Sequence, residues 1–351
     1  MSPVVQLIFK IACSLQQATL IFAGDAMMHQ GQIDAARQPD GTYTYTGCFD
    51  AIAPQVRAAD LAVVNLETPV SPPPYSGYPC FNAPAAYIDA LADAGFDLFL
   101  TANNHTLDRR DRGLRATLDT LDARRLDHIG TYRDPAHRRQ AIPHIRTVNN
   151  FRIGFLNYTY GTNGIKATSD AIVDYIEPQK IKADIQATRD AGAEIICAAM
   201  HWGNEYQLLP HTTQRNLADS LRAWGADLII GAHPHVIQPM EMRADTTGRN
   251  TLVVYSLGNL ISNMRTRDTR GGALASVTLR RDTLGRARVD TATYTLTFTL
   301  PPGPGRRNYT LIHPDTCPDP RWRPHAAAFA KTARDIFRRH NHSVPEKKQR
   351  P

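Results

Sequence analysis

From residue 18 to about residue 230, short apolar runs with the density of buried strands alternate with stretches whose apolar residues recur at helical spacing. Ala18–Ala23, Asp60–Leu66 and Phe96–Ala102 read as strands, and Phe49–Ala59, Pro84–Gly95 and Arg112–Arg125 as the helices between and after them. Pro84 near a helix start and Gly95 at its end are the expected punctuation. Asn149-Asn150 between Ala141–Val148 and Phe151–Tyr158 predicts a hairpin. Helices over Pro178–Ala193 and His211–Trp224 then feed strands over Glu194–Met200 and Asp227–Gly231.

Beyond residue 236 the helical period disappears. Ile237–Met242, Thr251–Leu257, Gly272–Arg280 and Ala287–Thr299 follow one another as strands. Alternating β and α units followed by consecutive strands predict an α/β fold with a mixed sheet, or two stacked sheets flanked by helices. The Pro/Gly-rich run from Pro301 to Arg307 breaks both periods, which divides the chain into an N-terminal segment (1–17), a main domain (18–300) and a C-terminal extension (301–351). In that extension, Pro324–His340 is expected to form a basic helix anchored by Ala327, Phe329, Ile336 and Phe337, with a disordered end.

The strand ends carry the chemistry. Five of them run into metal-ligating residue types: Gly24-Asp25-Ala26-Met27-Met28-His29, Asn65-Leu66-Glu67, Asn103-Asn104-His105, His201-Trp202-Gly203-Asn204-Glu205 and Gly231-Ala232-His233-Pro234-His235. Open α/β sheets bind ligands at the carboxyl ends of their strands, and a two-metal centre needs carboxylate, amide and imidazole donors gathered from distant segments. Asp25 is placed at such an edge, with His29 on the same face if the chain turns helical there; the competing reading makes Asp25 a helix cap. Glu67 is a candidate bridge between two ions, or else a salt-bridge partner at the sheet edge. Asn104 offers an amide oxygen, and His105 beside it a proton for a leaving group. His201 ends an apolar run, with Glu205 four residues on. In His233-Pro234-His235 the proline is expected to hold His233 extended, so that both imidazoles project to one side. Tyr255 and Asn259, in Tyr255-Ser256-Leu257-Gly258-Asn259, are candidate lining residues.

Composition narrows the alternatives. Hydrophobic content of 42% and charged content of 21% suit a folded globular chain, and no apolar run is long enough to span a bilayer. Five widely spaced cysteines without a CxxC pair indicate neither a disulfide framework nor a zinc ribbon. Residues 3–15 have a weak signal-like character, interrupted by Lys10, which leaves cell-envelope association and a cytoplasmic location both open. Much of the net charge of +7 lies late, in Arg306, Arg307, Arg321, Arg323, Arg338, Arg339, Lys347, Lys348 and Arg350. Such a tail is either a solvated surface or a dock for an anionic polymer. It lacks the interleaved aromatic positions of a single-strand nucleic-acid binder, so a nuclease ranks below the other readings.

These motifs, in this order from residue 18 to 263 and together with Gly225-Ala226-Asp227 and Gln238-Pro239, resemble the CapA family of capsule and poly-gamma-glutamate biosynthesis proteins, whose fold resembles the calcineurin-like metallophosphoesterases. The resemblance implies a four-layer α-β-β-α sandwich of two mixed sheets. It implies two divalent ions (manganese, iron, zinc or cobalt) held by Asp25, Glu67, Asn104, His201, His233 and His235, Glu67 bridging where the wider superfamily usually has aspartate, and His105 as proton donor. The superfamily's Asp-x-His opening is absent, His29 standing two positions too far along. Two functions are in view: metal-dependent hydrolysis of a phosphoester or related anionic substrate, and non-catalytic binding of a polyanion during envelope assembly or export.

Overall fold

The computed structural model describes residues 16–246 and 248–347. The signal-like segment and the last basic residues, Lys348 and Arg350, therefore lie outside the described residues. Strand β1 (Gln17–Ala26) is followed by a short helix α1 (Gln30–Ala36), α2 (Ala53–Arg57), β2 (Leu61–Leu66), α3 (Ala86–Ala94), β3 (Leu98–Leu100), α4 (Arg110–Ala123) and β4 (Asp127–Ile129). Strands β1 to β4 pair in parallel, the arrangement that βα units produce.

A small ladder joins β5 (Thr131–Tyr132) to β8 (Ile172–Val173); between them come α5 (Pro135–Ala141), β6 (His144–Val148) and β7 (Phe151–Thr159). The hairpin turn between β6 and β7 is the expected one, with Asn149 and Asn150 both at positive φ (46° and 67°). Helix α6 (Pro178–Asp190), β9 (Ile195–His201), α7 (Thr212–Trp224), β10 (Leu228–Ala232), β11 (Ile237–Ala244) and β12 (Asn250–Leu257) build the second sheet, in the order β11-β12-β10-β9-β7-β6. Strands β13 (Asn259–Ile261), β14 (Gly271–Arg281), β15 (Ala287–Leu300) and β16 (Thr310–Ile312) return to the first, ordered β16-β15-β14-β1-β2-β3-β4 with β13 beside β1.

Burial defines the layers. Leu20, Phe22, Leu61 and Val63 of the first sheet share one core with Ile195, Cys197, Leu252 and Val254 of the second. The alternate residues Ile21, Ala62 and Val64 pack outward against Tyr87, Ile88 and Leu91 of α3, and Ile196, Ala198 and Ile229 pack outward against Ile181, Ile185, Ala218 and Leu221 of α6 and α7. This period-two division is what buries both faces of each sheet, and the result is the four-layer α-β-β-α sandwich with a metallophosphoesterase-like fold.

Three local expectations need correction. The predicted helix over Phe49–Ala59 is only Ala53–Arg57, entered through a turn in which Ile52 and Ala53 donate to Phe49 O. The strand expected from Ala141 starts at His144, because Pro135 opens a helix that runs through Ala141 and Pro143 has no N–H for a ladder. The disordered end expected after His340 is ordered through Lys347, the last described residue, and the extension packs on the main domain. β16 pairs with β15, and a helix α8 (Arg323–His340) inserts Ala326, Phe329, Ala330, Ala333 and Phe337 into the core between the sheets, while Ala327 is exposed. The chain after it continues along both sheets: Met242 N donates to His342 O, Tyr294 N to Pro345 O and Lys347 N to Tyr294 O, with Val344 buried.

Candidate metal centre

The carboxyl ends of β1, β2, β7, β9 and β10 converge, and the motif residues converge with them. Register places Asp25 of β1 between Asn65 of β2 and Asn259 of β13. Gly24 permits the second approach: a Cβ there would lie 1.9 Å from Gly258 O, the same oxygen that accepts from Asp25 N at 3.0 Å. On the other sheet His201 ends β9 beside Ala232 of β10, with His233 immediately after it.

Asp25, Glu67, His201, His233 and His235 are all buried, and their donor atoms fall into two overlapping groups, Asp25–Glu67–His235 and Glu67–His201–His233, each within 4.8 Å. Glu67 belongs to both. Its Oε1 has no hydrogen-bond partner and lies 3.7 Å from His201 Nε2 and 3.8 Å from His235 Nε2. His233 Nδ1 is likewise buried without a partner. Buried polar atoms without partners are costly in a folded protein, and two in one cluster of carboxylates and imidazoles fit a cation site. The carboxylate, imidazole and amide set thus fits divalent ions of the manganese, iron, zinc or cobalt type.

The electrostatics point the same way. Burial opposes the charge on Asp25, but hydrogen bonding and attraction from His235, with His201 and Asn65, hold its carboxyl down at about 2. Glu67 goes the other way, pushed well above the usual carboxylate range by burial and then by the charge of Asp25. Burial and the neighbouring imidazoles push His201 well below its ordinary value, and His233 down to about 3. The opposed carboxylate pKa values and the neutral forms favoured for His201 and His233 suit a site that takes a cation.

Neighbouring groups fix which nitrogen of each ring faces inward. Asn259 Nδ2 donates to Thr269 O at 2.9 Å, so its Oδ1 is the atom 3.1 Å from His235 Nδ1. That nitrogen carries the proton, leaving the Nε2 lone pair toward Glu67. Asp108 Oδ2 accepts from Phe81 N at 2.8 Å and from His105 Nδ1 at 2.7 Å, which leaves His105 Nε2 free. Asn104 Oδ1 meets His201 Nε2 at 2.8 Å.

The backbone route to this convergence differs from expectation in one respect. His233 and His235 are not extended but have φ of +100° and +57°, and their ring centroids lie 5.9 Å apart. Non-glycine residues in that region are strained, and the strain is placed where the chain must turn both imidazoles inward. His29 does not share a helical face with Asp25, because β1 runs through Ala26 and α1 starts only at Gln30. His29 caps α1, its Nδ1 accepts from Asn263 N at 3.3 Å, and its ring packs edge-on against Phe81. Burial pushes it down to about 4. Glu205 is exposed at the mouth, within 4.8 Å of donor atoms on His233 and His235. Tyr255 is turned away: its hydroxyl accepts from Arg243 at 2.9 Å and its ring packs in the outer core with Trp202.

Four participants escaped the sequence reading. Asn65 Nδ2 reaches Asp25 Oδ1 at 2.8 Å, Glu67 Oε2 at 3.5 Å and His201 Nδ1 at 3.4 Å, tying three candidate ligands together. It stands two residues before Glu67 on a strand, and that spacing was the signal available. Asp108 stands three residues after His105. Tyr160, stacked at 9° on His201, and Asn163, which accepts from Asn104 Nδ2 at 3.2 Å, come from a loop without a distinctive pattern.

Comparison with known proteins places the chain in a family. Residues 19–264, which contain every residue of the cluster, match the family described as bacterial capsule synthesis protein PGA_cap. The chain belongs to the PGA_cap family. It is 28% identical over 275 residues to the PGA biosynthesis protein CapA of Bacillus subtilis (strain 168), covering 76% of this chain and 69% of that protein. It is 25% identical over 276 residues to the capsule biosynthesis protein CapA of Bacillus anthracis, covering 76% and 64%. Among solved structures it is similar to the NAD nucleotidase NadN of Haemophilus influenzae, with a TM-score of 0.50 and 12% identity over 95% of this chain and 65% of that one, a likeness of fold alone. This PGA_cap chain thus combines a capsule-synthesis family with a metallophosphoesterase-like fold.

Proposed function

We propose that this protein is a metal-dependent hydrolase of a phosphoester or related anionic bond, acting in capsule or polyglutamate biosynthesis through a dinuclear centre. The observation that carries the reading is Glu67, whose unpartnered Oε1 faces histidines of two separate donor groups. Asp25, Glu67 and His235 would hold one ion, and Glu67, Asn104, His201 and His233 the other. Bound there, the ions would supply Lewis acidity toward a substrate oxygen and lower the pKa of water.

The chain's own residues supply the rest. Asn65 holds the Asp25 and Glu67 carboxylates and the His201 ring at fixed spacing, and Asn259 fixes the tautomer of His235. Asp108 orients His105 through its Nδ1, so that Nε2 faces the site as the nitrogen that can give a proton to a leaving oxygen. The polyanion-binding reading has weaker support. Of the late basic residues, Arg306 and Arg321 pair with Asp319, Arg338 pairs with Asp335, and Arg307 is spent on backbone oxygens and Gln38. Among the described residues no helix is long and apolar enough to cross a membrane.

The test is elemental analysis of untagged protein, followed by phosphate release from a panel of monoesters and diesters. Near two metals per chain, lost in the His233→Ala plus His235→Ala variant, with metal-dependent phosphate release, is the expected result. A chain that takes up no metal after incubation with manganese or zinc, or that releases no phosphate from any ester, overturns the proposal.

A further inference from the structure

The mouth of the cluster has an unusual surface. Among the described residues the exposed large apolar side chains are Tyr78, Tyr160, Tyr206, Leu209 and Leu284. Single exposed apolar residues are ordinary when scattered, but the three tyrosines gather near the cluster. Tyr160, 48% exposed, lies 4.5 Å by ring centroid from His233 and is stacked on His201. Tyr206, 52% exposed, lies 6.2 Å from His235. Tyr78, 76% exposed, lies 6.4 Å from Phe81, whose ring in turn sits 4.6 Å from His105. Three loops, following β2, β7 and β9, thus each bring one tyrosine to the candidate metal ligands or to the neighbour of the candidate proton donor.

The placement of Tyr206 is enforced. Its backbone sits at φ +65°, and its N–H donates to Pro234 O at 2.8 Å, which fastens the loop to the His-Pro-His turn. Strain of this kind concentrates at ligand clamps. A tyrosine offers a large, stiff, amphipathic face at low entropic cost, and such faces bind flat rings by stacking. A flexible chain of carboxylates has no face to offer them, and at this mouth it would also meet the exposed carboxylate of Glu205.

We infer that Tyr78, Tyr160 and Tyr206 form a stacking rim that selects substrates whose alcohol side carries a ring, an aryl group or a sugar, next to the anionic group addressed by the metal cluster. The inference rests on the assignment of that cluster as the reaction site. The rim residues determine specificity and take no part in bond breaking.

The test is equilibrium binding, by calorimetry, to manganese-loaded protein of phenyl phosphate, a hexose phosphate and n-propyl phosphate. The set is repeated for Tyr78→Ala, Tyr160→Ala, Tyr206→Ala and the three corresponding Phe variants, with bound metal measured in each. At least one ring ligand should bind about tenfold more tightly than propyl phosphate, the range expected for one stacked ring. The Ala variants should lose this preference and the Phe variants keep it at unchanged metal content. A preference for phenyl alone identifies an aryl substrate, and one for the hexose alone a sugar. Equal affinities in the wild type, no binding of any ligand, or a preference that survives all three Ala substitutions overturns the inference. Ring-selective binding without phosphate release would refute the hydrolase reading and leave the rim standing, whereas phosphate release without ring preference would do the reverse.

Discussion

Metal binding should expel a proton from Glu67, and this can be counted. Its side chain is fully buried, its Oε1 has no partner, and burial together with the Asp25 carboxylate pushes its pKa well above the ordinary range. At pH 6 an ordinary glutamate is almost entirely ionised. Burial and the Asp25 charge push Glu67 in the metal-free protein toward its protonated form, whereas His233, pushed down to about 3, is already neutral and has no proton to lose. A cation requires the carboxylate, so binding and deprotonation are coupled. One displaced proton makes the apparent affinity fall about tenfold for each unit the pH is lowered, about 1.4 kcal/mol per unit. The assay is manganese titration by calorimetry at pH 6 in two buffers of different ionisation enthalpy, comparing wild type with Glu67→Gln. The amide keeps the shape and removes the proton, so protons released from ionised water cancel in the difference. The wild type should release about one proton more than the variant, with an affinity that steepens toward low pH only in the wild type. Equal release from the two proteins would show that Glu67 is ionised before the metal arrives, and the electrostatic account of the site would fail.

Replacing Asn65 with leucine should weaken metal affinity by about 10- to 100-fold, the range for removing an outer partner of ligands, with circular dichroism unchanged; unaltered affinity would mean that the three ligands are held without it. His105→Ala should lower kcat by roughly 10²- to 10⁴-fold while both metals stay bound, and Asp108→Ala should lower kcat in the same direction by releasing the His105 ring from the 2.7 Å hydrogen bond that orients it. A metal-depleted His105→Ala protein would instead make His105 a ligand. Phe329→Ala should cost about 3–5 kcal/mol in urea unfolding, because the ring lies in the core between the sheets; a loss under 1 kcal/mol would detach α8 from the fold.

The layer order was legible because each strand carries a plain apolar run and ends in a distinctive motif, and because β-rich residues 237–299 contrast with the βα region before them. The convergence of Asp25, Glu67, His201, His233 and His235 was legible for the same reason, since the carboxyl ends of parallel strands gather at one edge of the layers. What escaped depended on tertiary contact. Nothing near Tyr255 in sequence says that its hydroxyl answers Arg243, and Asn259 reaches the cluster because the chain passes at Gly258 from β12 of one sheet to β13 of the other. The His-Pro-His segment was assigned the right outcome through the wrong backbone, because local proline preference predicts extension while the packing at Asp25 and Glu67 imposes positive φ. The C-terminal residues were misread because charge on the exposed face of α8 outweighed, in composition, the five small and aromatic residues that it buries.

The return of residues 341–347 along both sheets has a consequence for the order of events in biosynthesis. His342 bonds to a strand of one sheet, while Pro345 and Lys347 bond to a strand of the other. During translation the family-matching part of the chain, ending near residue 264, emerges well before this fastening does. Until residue 347 has cleared the ribosome the two sheets lack Phe329, Phe337 and Val344 between them and keep an apolar gap. A nascent chain in that state exposes apolar surface of the kind chaperones bind, and nicking it just before residue 341 would loosen the hydrophobic interior rather than trim a surface.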